Sequence, residues 1–341
     1  MDVRLSTEQQ ALRESAARVV DQLGPHAVGE IGDEARTQKL DAAVAESGWR
    51  DLRVGDNDGR PLASGVETGL VAEELGRGLA DVSFLGPTMA CELRRLAGAP
   101  PSESLETVAF TSDLASIASA AEGQEASLVA VDTQGSSRAL LLWTGVEGNL
   151  LVQIELPPDE ATVDLTRPSR MLGKSMAIVP VESSGRPVSD EDLTRWTTLG
   201  LALTCADLVG IMRGAVQLAT DYATQRQQYG ASIGSFQAVQ HMLADAFVVM
   251  EGSRSVALHA AWAVDALSAH DAVAAASVAK AYCARAARDV CETAIQVHGG
   301  IGHTWECLAH VYLRRALLSS DLLGGTGANI DRVLVHYGIE A

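Results

Sequence analysis

The sequence predicts a mostly helical protein interrupted by one small β domain, and three observations lead there. Aromatic residues make up only 4% of the chain while Ala and Leu dominate long stretches, a balance that favours packed helices over broad sheets. Apolar residues recur at helical intervals toward both ends. Between about 104 and 185 that texture gives way to short apolar runs broken by Gly, Ser, Asp and Pro. With 341 residues and 47% hydrophobic content, the chain can bury a sizeable core, and two or three domains are the natural expectation.

A first helix is expected after Leu5-Ser6-Thr7-Glu8-Gln9, where Ser6 and Gln9 have capping-box spacing ahead of Leu12, Ala16, Val19, Val20 and Leu23. Helical patterning returns at Leu40–Ser47 and at Val66–Leu75, where Gly76 and Gly78 supply stop signals. Residues 1–103 therefore read as an N-terminal helical domain. Val108–Phe110, Leu128–Val131, Leu140–Trp143 and Leu150–Leu156 read as strands of a middle antiparallel β domain spanning 104–185. From 186 to 341 a C-terminal four-helix bundle is expected. Five amphipathic segments fall in this region, 193–226, 235–267, 271–297, 305–319 and 328–336, joined by short connections that suit an up-and-down bundle.

Charge and cysteines exclude several classes. The net charge of −18, from 44 acidic and 26 basic residues, opposes binding to a phosphate backbone over a broad surface, so nucleic acid is not an expected partner. A few well-placed Arg residues can still hold a polyanionic cofactor locally. The five cysteines, Cys91, Cys205, Cys283, Cys291 and Cys307, lack C-x-x-C spacing and give neither a disulfide framework nor a zinc site, which suits a reducing cytoplasm. Met1–Gln10 carries charge and no apolar run, and no stretch of about 18 uninterrupted apolar residues occurs, so neither an export signal nor a membrane span is expected. Eight histidines scattered along the chain give no metal constellation, and no metal is expected.

Two segments carry chemistry. Arg226-Gln227-Gln228-Tyr229-Gly230-Ala231-Ser232-Ile233-Gly234-Ser235-Phe236-Gln237 ends one long helix and opens another. Taken singly, Arg226 is a helix-end cation and Gln237 a solvated first-turn residue. Gln296-Val297-His298-Gly299-Gly300-Ile301-Gly302-His303-Thr304-Trp305-Glu306 spans another helix end, where glycine permits positive φ and close backbone approach. A Gly-Gly there is by itself a C-cap. His298 and His303 could be read as acid-base groups, but a histidine in a helix-terminal turn reads as a hydrogen-bonding or packing residue.

The two segments together, in this order and separation, resemble the signature of the acyl-CoA dehydrogenase family. Leu5-Ser6-Thr7-Glu8-Gln9 and Glu73-Glu74-Leu75-Gly76-Arg77 also look like family segments, so the resemblance runs the length of the chain and is strongest after about 195. It implies the three-part fold described above and FAD as cofactor. Arg226 would grip the FAD pyrophosphate, a task that suits a permanently charged group with paired donors. Gln237 would hydrogen-bond the dinucleotide, and Tyr229 would lie beside the flavin or its ribityl chain. Gln296, Val297, His298, Gly299 and Gly300 would meet the adenine half of a FAD held partly by a neighbouring subunit. Thr326, in the family's Gly-Thr pair, completes the implied cofactor set.

One family feature is missing. The family removes an α-proton from an acyl-CoA with a Glu while the β-hydrogen leaves as hydride. In most members that Glu precedes the Gly-Thr, where this chain reads Ser320-Asp321-Leu322-Leu323-Gly324-Gly325-Thr326-Gly327, placing Gly324, or Leu323, at the position. Others carry the base roughly seven turns before the Arg motif, here Thr197-Thr198-Leu199-Gly200-Leu201-Ala202-Leu203. Neither place offers an acid, and Asp207 and Asp321 are displaced by several residues. The middle domain also lacks the family's Gly-x-Lys-x-Trp-Ile-like strand, with Val108–Asp113 its nearest remnant. The resemblance implies the base-lacking subunit of an α2β2 acyl-CoA dehydrogenase, acting with a partner subunit on acyl-CoA esters, sterol side chains among them, and passing electrons to an acceptor. The alternatives are a homomeric enzyme using Asp321 or Asp207, and an inert scaffold of the same fold.

Overall fold

The structure, a computed structural model, describes residues 4–121, 128–145, 148–156, 170–172, 178–180 and 186–339. The expected boundary at 185 and the stretch 157–169 lie outside the described residues.

Four helices open the chain. α1 (Thr7–Leu23) starts at the Ser6/Gln9 capping box. α2 (Glu34–Glu46) is capped by Asp33, and α3 (Gly65–Arg77) by a second capping box from Ser64 and Glu67. α4 (Leu85–Ala97) ends at left-handed Gly98. No local signature announces α4, because its N-cap is Phe84, which offers no side-chain cap. The buried carboxylate of Asp132 accepts the N–H groups of Phe84 and Gly86 instead, at 2.7 and 3.1 Å. A cap supplied from 48 positions away leaves no trace in the neighbouring sequence.

Seven short strands follow: β1 (Glu106–Thr111), β2 (Ser119–Ala120), β3 (Leu128–Val131), β4 (Arg138–Gly145), β5 (Gly148–Glu155), β6 (Arg170–Leu172) and β7 (Ile178–Pro180). They form one sheet in the order β6-β3-β1-β4-β5-β7, with β2 beside β4. The sheet is mixed rather than wholly antiparallel, since β1 and β2 each run parallel to β4. The chain turns back from β1 into β3, then crosses to β1's other side as β4, which restores the original direction. Side chains alternate between two cores: Val108, Phe110, Leu140 and Leu142 join the main helical core, while Ala109, Ala139, Leu141 and Ile154 build a second one on the opposite face.

Helices resume as α5 (Asp190–Gln225), α6 (Gln237–Ala266), α7 (Ala269–His298), α8 (Ala309–Asp321) and α9 (Thr326–His336). α5 packs against α3, α6, α7 and α8, and α9 lies against α7. By length and composition α5 could cross a membrane, but most of its apolar stretch is buried among these neighbours. Its glycines set the approach. A Cβ on Gly210 would fall 1.9 Å from the Glu73 carbonyl oxygen, and one on Gly76 would fall 2.6 Å from that of Asp207. Gly76 is thus no stop signal. It lies inside α3, which continues to Arg77, and it lets α5 close onto that helix.

Candidate functional site

α5 and α7 each end in a turn, and one ring contact ties the two ends together. Arg226 caps α5, its N–H donating to the Tyr222 carbonyl at 2.8 Å. The chain then makes a two-residue hairpin between β8 (Gln227–Gln228) and β9 (Ala231–Ser232). Tyr229 and Gly230 at its tip take φ +53° and +79°, the left-handed pair that a tight hairpin requires. Gly234 lets this hairpin fold back, since a Cβ there would sit 3.0 Å from the Ala223 carbonyl oxygen. Gln240 fixes the turn by donating to the Gly234 carbonyl at 3.0 Å.

This arrangement leaves three of the expected cofactor residues in the open. Arg226, Tyr229 and Gln237 are all exposed, and Tyr229 is 96% so, with an edge contact to Phe236. Among the described residues nothing donates to, accepts from or pairs with the Arg226 guanidinium. A permanent cation in an exposed turn, paired with no acid among the described residues, fits an anionic ligand such as a pyrophosphate.

At the other turn, α7 ends at His298 and Gly299 adopts φ +65°. Gln296, Gly299 and Gly300 are exposed, and a Cβ on either glycine would meet no atom within 4 Å, so their backbone faces open space. Val297 and His298 are buried. The His298 ring shares a hydrogen bond with the Ala294 carbonyl and stacks on Tyr222 at 4.4 Å. Tyr222 lies one helical turn before Arg226, so the stack draws both motif turns to the same end of the bundle. The sequence reading missed Tyr222. Its i−4 relation to Arg226 was the available signal.

Thr326 is elsewhere. It opens α9 in a cavity of about 590 Å³ lined by Arg285, Arg288, Asp289, Glu292 and Asp321. Those α7 residues precede His298 by two to four turns, roughly 10–20 Å along the helix. Within one chain, Thr326 is therefore separate from the two motif turns.

Both places where a base was sought converge on one filled point. Leu323 is fully buried with φ +63°, and its side chain would lie 2.3 Å from a Cβ on Gly200, with the Met89 sulfur at 3.1 Å. The Leu323 N–H donates to the Leu114 carbonyl at 2.7 Å. Arg332 donates to the Leu323 and Ala115 carbonyls at 2.7 and 3.3 Å. The turn following α8 is thereby stitched to the loop that follows Val108–Asp113. In that loop Asp113 accepts from Thr111 and from the Ala115 N–H, and the Thr111 hydroxyl lowers its carboxyl below the usual range.

Asp207 is a structural residue and no displaced base. It is 1% exposed and accepts from Arg315 and from the Ser319 hydroxyl, both at 2.7 Å. Lys280, wholly buried nearby, donates to the Ser319 carbonyl, and burial pushes its amine down to about 8. A carboxylate committed to a buried ion pair has no path to a substrate proton, and breaking such a pair costs about 3–5 kcal/mol. Asp321 remains exposed on the Thr326 cavity.

Residues 197–334 match the family model described as acyl-CoA dehydrogenase, C-terminal domain. Over 325 residues the chain is 31% identical to acyl-CoA dehydrogenase IpdE2 of Mycobacterium tuberculosis, covering 93% of each protein. The chain belongs to the acyl-CoA dehydrogenase family. Among solved acyl-CoA dehydrogenase folds it is similar to the Tcur3481-Tcur3483 steroid ACAD G363A variant, with a TM-score of 0.79 and 22% identity over 97% of this chain and 98% of that one. It is also similar to the ChsE4-ChsE5 complex from Mycobacterium tuberculosis, with a TM-score of 0.76 and 22% identity over 99% of each chain.

Proposed function

We propose that this chain is the FAD-binding, base-lacking subunit of a heteromeric acyl-CoA dehydrogenase that converts acyl-CoA thioesters to 2,3-enoyl-CoA. The observation that carries the reading is the contrast between two ends of the bundle. At one, Arg226, Tyr229 and Gln237 stand exposed beside the open Gly299-Gly300 backbone. At the other, the base position is a glycine next to a buried leucine.

FAD, the family cofactor, would supply the acceptor for the hydride that leaves the acyl β-carbon. Arg226 would hold its pyrophosphate by paired donors, and Gln237 would hydrogen-bond the same portion. Tyr229 would cover the flavin or ribityl end. Gln296 and the backbone at Gly299 and Gly300 would meet the adenine half, across a subunit boundary, while Val297 and His298 shape that turn from beneath. Thr326 would contact FAD from its own cavity, in keeping with a cofactor shared across the subunit boundary. The α-proton would go to a carboxylate of the partner subunit, because neither Gly324 nor Leu323 can accept it. An α2β2 assembly, an electron-transferring acceptor, a cytoplasmic setting and bulky sterol side-chain substrates belong to the same proposal. The heteromeric and steroid neighbours named above support it by analogy.

The test is a visible spectrum of the chain alone and with its candidate partner, followed by anaerobic acyl-CoA titration. Bound flavin that bleaches only in the mixture is expected, and Arg226→Ala in the same mixture should lose most of the flavin absorbance. Bleaching in the lone chain would overturn the need for a partner's base. Absence of flavin from both samples would favour an inert scaffold.

A further inference from the structure

Away from both motif ends, the first turn of α7 meets the last turn of α9, and three side chains with metal-ligand chemistry converge there. His270, Asp271 and His336 place one ligand atom each within 4.8 Å of one another. The two imidazoles stack with centroids 4.2 Å apart and planes 29° from parallel. Tyr337 braces the His336 ring by an edge contact at 4.8 Å. Asp271 is held by Ser268, whose hydroxyl donates to one carboxylate oxygen at 2.8 Å, while the other lies 3.7 Å from His270 Nδ1. The sequence hid this set because its members are 65 positions apart and meet only when α9 lies along α7.

We infer that His270, Asp271 and His336 form a divalent transition-metal site that staples α9 to α7. Two imidazoles and one carboxylate suit zinc, nickel or copper, whereas calcium and magnesium take oxygen ligands. With metal–ligand bonds of about 2.0–2.2 Å, a tetrahedral ion holds its ligand atoms about 3.3–3.5 Å apart, so a modest side-chain rotation closes the present spacing. His336 Nδ1 is buried and has no hydrogen-bond partner among the described residues. An imidazole nitrogen with its lone pair unengaged is what coordination requires. Water would complete the sphere, since the site opens to solvent through His270 and Asp271.

The staple has a structural purpose. α9 fully buries only Asn329, and polar clamps hold its start, Asn329 to the Gly324 and Gly325 carbonyls and Arg332 to Leu323. The far end has no comparable anchor among the described residues. A metal bridging His336 to α7 would fix that end in the same way.

The decisive experiment titrates zinc chloride into the chelator-treated, tag-free chain by calorimetry, with thermal melts at each point. One saturable equivalent is expected, with a rise of a few degrees in Tm that EDTA reverses. His336→Gln and His270→Asn should each lose the saturable binding and the Tm response. Wild type that takes up no saturable zinc, or variants that bind as wild type does, would overturn the site. Should His336→Gln fold poorly, His270→Asn alone decides, because that ring is exposed on a helix's first turn.

Discussion

At Gly324 the backbone takes φ +86°, and a side chain there would start 3.0 Å from the Ala328 Cβ with the Arg332 guanidinium next in line. Gly324→Glu should therefore leave the lone chain unable to oxidise acyl-CoA, even though it restores the missing acid by sequence. The left-handed strain costs about 1–2 kcal/mol, and Arg332 stands ready to pair with the new carboxylate. Acceptor reduction by the purified variant checks this, and turnover without a partner would sink it. Arg226, Tyr229 and the Gly299-Gly300 turn were legible because each is a residue type tied to a helix end. Tyr222 was not, because an aromatic ring at helical spacing reads as core wherever it falls.

Gly210 carries a close helix crossing between α3 and α5. Replacing it by Ala puts a methyl 1.9 Å from the Glu73 carbonyl, so α3 and α5 must separate or distort. A loss of about 1–3 kcal/mol is expected, read as a lower urea midpoint with the transition slope unchanged. These helices were plain in the sequence, since apolar periodicity marks α1, α3 and α5 and a capping box announces α1. The strands' existence was plain too, but their order was not. Short apolar runs and turn residues carry no record of which neighbour a strand will choose, and so the parallel β1–β4 pairing went unforeseen. α4 escaped for the converse reason, its cap coming from Asp132 rather than from an adjacent residue.

Lys280 links the stability of the whole molecule to pH. Burial lowers its folded pKa to about 8 from a reference value of 10.5, with Cys205, Cys283, Asp321 and Asp207 acting in the opposite direction. Between those values the unfolded chain holds the proton that the folded chain has lost, so this residue's contribution to stability rises with pH across that window and is flat below it. Lys280→Met removes the effect. Its stability relative to wild type should therefore fall as pH increases from about 8 to 10.5, measured by urea unfolding of both proteins in matched buffers, and a constant difference would refute the assignment. The molecule's size matters in another way, through the contact that joins α3 to α5. Arg213 pairs with Glu73 and Glu74 from 140 and 139 positions away, and Tyr312 reaches the Arg77 carbonyl from 235. The whole sheet is threaded between the two helices that must touch. Most helical proteins assemble from neighbours in sequence and fold quickly, but this one must close a loop the size of a domain before its central crossing forms. Its folding speed is therefore set by chain topology rather than by helix formation, and during synthesis α3 must wait for the sheet and much of α5 to emerge before it finds its principal partner.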